Sequence, residues 1–139
     1  MEDKDFASVP SEMIEEVWLG YPGATNEEIS AAENRLGLTL PPSYKNFLNI
    51  TNGWQVFDSL FGGLCPIQEV EYYATKHQDL IDAWNHGVEM GGGLTPISDE
   101  EYFVYGSLQE SAVFRQEYLQ SAIKIGGDEN NGTILLNPE

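Results

Sequence analysis

The chain has 139 residues, enough for one domain with its own core and no disulfide staple. Carboxylates outnumber Lys and Arg by 23 to 6, a formal charge of −17, which argues against direct binding to nucleic acid or an anionic membrane. A hydrophobic share of 41% excludes a disordered chain, and a lone cysteine, Cys65, excludes an internal disulfide and favours a reducing compartment.

The N-terminal MEDKDF is charged and acidic and lacks the basic and apolar regions of a signal peptide. No apolar run approaches the length of a membrane span, so a soluble cytoplasmic protein is expected. Residues 1–8 are expected to fray, and residues 9–139 to form the domain. From Pro10, a short helix is expected, because Met13, Ile14, Val17 and Trp18 recur at helical spacing; Gly20, Pro22 and Gly23 end it. Thr25 offers an N-cap with Glu28 at capping-box spacing, and Ile29, Ala32 and Leu36 form the apolar stripe of the next helix. Gly37 stops it. Leu38, Leu40 and Pro41-Pro42 make an extended elbow, and Pro42 suits the first turn of a following helix. Tyr44, Phe47, Leu48 and Thr51 lie along the inner stripe of that helix, which Asn52-Gly53 ends.

The remainder reads as short strands, turns and a helix. Strands are expected at Trp54, Val56 and Phe57 and from Leu60 to Ile67, then a helix from Glu69 to Asn85 with Val70, Tyr73, Leu80, Ile81 and Trp84 on one face. Gly91-Gly92-Gly93 reads as a loop, Leu94–Ile97 and Tyr102–Tyr105 as strands joined by an acidic link, and Phe114–Ser121 as a short helix. Ala122–Ile125 and Thr133–Leu136 are strand candidates flanking Asn131-Gly132, a strong hairpin-turn signal. Helices gathered early with short strands after them predict an α+β fold with a largely antiparallel sheet.

The stretch Glu33, Leu36-Gly37, Leu40-Pro41, Tyr44, Phe47-Leu48 and Asn52-Gly53, at its particular spacing, closely resembles the signature of the SMI1/KNR4 family of the SUKH superfamily. Ile123–Gly126 and Leu135–Pro138 are similar to the late hairpin of that family, and the resemblance runs from roughly Glu12 to the C-terminus. It implies a twisted sheet flanked by helices. It also implies a role by association: bacterial members look like immunity proteins that bind and neutralise toxins, often nucleases, while fungal members regulate cell-wall synthesis and signalling. Members often continue past this hairpin with a further strand and helix, so a short or trimmed member is expected.

The signature residues have packing or turn reasons to be where they are, and they mark a scaffold more than a site. Catalysis is not expected. His77 and His86 are nine positions apart on one helix, no nucleophile elbow exists, and Cys65 sits among Leu64, Pro66 and Ile67 as a small hydrophobe. No cofactor and no metal are expected: Asp79 and Asp82 read as a solvated helix face, and Asp128–Gly132 lacks the ligand spacing of a calcium loop. The charge serves either solubility or the steering of a basic protein partner. The candidate partner-binding residues are Trp54, Asp58, Phe61, Asp99, Glu100, Glu101, Asp128 and Glu129, carboxylates around exposed aromatics. The expected partner is a basic toxin domain; a regulatory or scaffolding interaction domain is the alternative.

Overall fold

A computed structural model of the protein describes residues 20–55, 62–91, 97–104, 107, 115–128 and 132–138. The helix expected from Pro10 and the strand residues Val56 and Phe57 lie outside them. The architecture is α+β, with helices and an open three-stranded sheet whose strands neighbour one another in chain order. The chain forms two compact units, Met1–Glu71 with Ile123–Glu139, and Tyr72–Ala122.

In the first unit, helix α1 (Asn26–Leu36) starts at a complete capping box. The Glu28 amide donates to Thr25 Oγ1 at 3.2 Å, and the Thr25 amide donates to the Glu28 carboxylate at 2.8 Å. Ile29, Ala32 and Leu36 are its buried stripe. Gly37 closes it in the left-handed region at φ 69°, and its amide donates to the Glu33 carbonyl at 2.8 Å. The elbow then buries Leu40 completely. Pro42 opens α2 (Pro42–Ile50), where a missing N–H has no helical partner to lose. Tyr44 and Leu48 are its buried residues, Phe47 is half-buried, and Thr51 is buried at the C-cap.

The hairpin of β2 (Ile123–Asp128) and β3 (Gly132–Leu136) pairs antiparallel from Ile123 opposite Leu136 to Asp128 opposite Gly132. A register shift between Lys124 and Gly126 marks a bulge at Ile125. Beyond β2, single bridges continue the ladder from Gly126 to Leu64, Leu64 to Trp54 and Trp54 to Gly20. The two strands expected around Trp54 and from Leu60 to Ile67 are therefore one bridging residue each among the described residues. The cause is local. Gly53 turns the chain at φ 95° just before Trp54, and Pro66 has no N–H to give a ladder just after Leu64. Residues 67–69 then form a turn, and β1 (Glu71–Tyr72) is only two residues long.

In the second unit, α3 (Ala74–Glu89) begins five residues after the expected start, because the turn and β1 occupy Glu69–Tyr72. It also runs past His86-Gly87. His77 breaks its helical geometry at φ −128° and stacks on Tyr73 at 4.5 Å. Ile81 is buried, but Leu80 and Trp84 are 45% and 39% exposed, so the expected five-residue stripe is not a single buried face. Val70 and Tyr73 are buried ahead of the helix. The acidic link expected before a strand at Tyr102 is instead helix α4 (Asp99–Tyr102). Ser98 and Glu101 form a second capping box, each receiving the other's amide at 3.3 Å. Only Gln116–Tyr118 of the expected late helix is helical, as a single 3₁₀ turn among the described residues. The Tyr73 amide donates to the Ala122 carbonyl at 2.9 Å and ties together the two ends of this unit.

Candidate functional site

The polar residues of the family-like signature are spent on holding the elbow. Glu33 Oε1 accepts from the Leu40 amide at 2.8 Å and from Lys45 Nζ at 3.1 Å. The Leu40 amide first, and Lys45 second, hold the Glu33 carboxyl below the usual carboxylate range. Asn52 Oδ1 accepts from the Ile67 amide at 2.7 Å, and its Nδ2 donates to Gln68 Oε1 at 3.1 Å. Gln68 Nε2 in turn donates to Glu28 Oε1 at 2.9 Å, so the capping box of α1 is linked to the residue that ends α2. Two members of this clamp carry no sequence signal of their own: Gln68, and Arg35, whose guanidinium donates to the Val70 carbonyl at 2.8 Å and the Ile67 carbonyl at 3.2 Å. Arg35 reaches carbonyls more than thirty residues away and Gln68 reaches Glu28 forty residues back, relations no local pattern reports.

Beside this clamp lies an open cleft of about 770 Å³. Its walls come from Tyr21–Gly23, Asn52, Trp54-Gln55 and Gly63–Pro66, with Glu28, Glu69 and Gly127. The bridge ladder is why these segments meet: Gly20, Trp54, Leu64 and Gly126 pair in succession, and their sequence neighbours line the space. Gly53 makes the ladder possible, since a Cβ there would stand 2.5 Å from the Leu64 carbonyl oxygen. Glu28 and Glu69 are exposed, and no Lys, Arg or His is among the described lining residues. Cys65 is half-buried with Sγ 3.9 Å from the Lys124 carbonyl oxygen. Burial pushes its thiol pKa up, which makes it a poor nucleophile. No group of three or more His, Cys, Asp or Glu side chains placed to hold a metal ion occurs among the described residues.

Of the sequence-derived candidates, Trp54 lines the cleft and meets Phe47 edge-on at 6.1 Å between ring centroids. Asp58, Phe61 and Glu129 lie outside the described residues, and Asp128 is the last residue of β2. Asp99, Glu100 and Glu101 are the first turn of α4, in the other unit. Asp99 accepts from Arg115 Nη2 at 2.6 Å. The same guanidinium donates to the Ile97 carbonyl and Tyr118 hydroxyl, at 2.7 and 3.0 Å, and lies 4.7 Å from the Tyr102 ring centroid. Asp99 thus holds an internal cation, and Glu101 holds a helix cap. Glu100 is exposed.

The described residues combine a helix–elbow–helix clamp with an open three-stranded sheet, an α+β arrangement. The family model for SMI1 / KNR4 (SUKH-1) matches residues 23–138, and the chain belongs to that family. Comparison with curated proteins and with solved structures returned no match. No helix among the described residues is long and apolar enough to cross a membrane.

Proposed function

We propose that this protein is a non-catalytic binding domain of the immunity type, which acts in the cytoplasm by stoichiometric association with a basic toxin domain. The observation that carries the reading is the cleft: open, walled by aromatic and small residues, edged by Glu28 and Glu69 and without a basic group among its described lining residues. Membership of the SMI1/KNR4 family supports it, because bacterial members look like immunity proteins. The formal charge of −17 supports it too, since long-range attraction speeds encounter with a basic partner and disfavours acidic ones. A toxin whose substrate is itself anionic, such as a nuclease, has the basic surface that this charge suits.

The test is co-expression with a candidate toxin domain, the product of the adjacent gene being the first to try. Cells are expected to survive, and a one-to-one complex is expected to form at low salt and weaken as salt rises. Killing that continues, with no complex at low salt, overturns the proposal. Capture of a host signalling protein in place of a toxin would point to a regulatory interaction domain.

A further inference from the structure

The cleft has the chemistry of a site for a guanidinium-bearing chain segment, and we infer that it docks an arginine side chain presented by an extended stretch of the partner. The inference rests on the reading of the protein as a binding domain and names what that site takes. Three features converge. Glu28 and Glu69 place carboxylates at the edge of the same cleft, with no cation among its described lining residues to neutralise them. The aromatic lining residues are Tyr21 and Trp54, and a planar, weakly hydrated guanidinium stacks on such rings while forking to carboxylates. A volume of about 770 Å³ exceeds what one side chain fills, which suits a segment. A second copy of this chain is a poor occupant, because each copy carries −17.

Glu28 also serves the capping box and accepts from Gln68. Glutamine at that position keeps the cap while removing the charge, which makes the site testable without unfolding α1.

The probe is an acetylated pentapeptide carrying two arginines, titrated into the full-length protein and followed by amide and indole NMR shifts. Shifts are expected at the Trp54 indole and at Gly63 and Gly127, and the same peptide with citrulline in place of both arginines is expected to leave them still. The double variant E28Q/E69Q is expected to bind roughly tenfold more weakly, in line with the loss of charge-assisted hydrogen bonds. E69K should lose the shifts altogether, and D79N/D82N on α3 should match the wild type. Thermal midpoints close to wild type establish that the variants fold. Shifts outside the cleft, equal affinity for E28Q/E69Q, or equal binding of the citrulline peptide would overturn the inference. A toxin domain that binds E28Q/E69Q as tightly as wild type also overturns it, while leaving the binding-domain reading intact. Arginine docking without any toxin complex would do the reverse.

Discussion

The clamp of α1, elbow and α2 and the long helix α3 use similar kinds of residues to opposite effect. In the clamp, apolar stripes are buried, Leu40 and Leu48 are fully so, and Glu33 and Asn52 are each satisfied by protein partners. In α3, Ile81 is buried while Leu80 and Trp84 stay substantially exposed, and His77 breaks the helical geometry. The difference teaches that amphipathic spacing alone does not make a frame. The clamp is a frame because its turns are held by side-chain bonds to backbone amides, which fix where the stripes point. In α3 the apolar residues at helical spacing do not converge on one buried face.

That contrast is broken most directly in the cores. Leu48→Ala is expected to cost about 2–5 kcal/mol of stability, and Leu80→Ala under about 1 kcal/mol, because only the first leaves a closed cavity. Urea midpoints of the two variants decide the matter, and equal losses would remove the distinction.

The two signature glycines separate next. Gly53→Ala combines a left-handed φ of 95° with an overlap against the Leu64 carbonyl, so it is expected to cost about 2–4 kcal/mol. Gly37→Ala has φ 69° and open space around the new methyl, so about 1 kcal/mol is expected. Thermal unfolding should rank them in that order, and Gly53→Ala should also blur the Trp54 and Leu64 amide signals.

Asn52→Ala leaves the Ile67 amide without its 2.7 Å acceptor and is expected to cost about 1–3 kcal/mol. Faster hydrogen exchange at Ile67, with exchange in α3 unchanged, is the signature that locates the loss in the clamp.

A small effect is also expected at Glu33, where glutamine should cost about 1 kcal/mol near neutral pH. Its folded pKa lies below the ordinary carboxylate value, so its contribution is fully present above about pH 4.3 and is lost as pH falls through the folded value. The gap in urea midpoint between wild type and Glu33→Gln should therefore hold at neutral pH and close in acid. A gap that persists at low pH would show that the Lys45 and Leu40 contacts contribute nothing through charge.

The elements that sequence reading recovered are those whose signals are local. Thr25 with Glu28, Gly37, Pro42 and the Ile123–Leu136 hairpin each declare themselves within a few residues. Ser98 and Glu101 carry the same capping signature as Thr25 and Glu28, but without a following apolar run they read as an acidic link. Within the acidic stretch read as partner surface, Asp99 binds Arg115 and Glu101 caps its own helix. Trp54 was legible as a candidate because a large aromatic beside a glycine turn in an acidic chain is conspicuous. Its cleft companions Tyr21, Glu28 and Glu69 were not, because nothing near them in the chain announces the cleft.

By itself, the sequence determined the family frame: capped helices, the Leu-Pro elbow and the late hairpin, all consequences of backbone preferences acting over one or two turns. Tertiary structure alone decided the rest. Single bridges at Gly20, Trp54, Leu64 and Gly126 bring together segments up to about a hundred residues apart. Whether a carboxylate such as Glu33 is spent on an amide, or one such as Glu69 stands at the edge of a cleft, depends on which distant groups that pairing delivers to it.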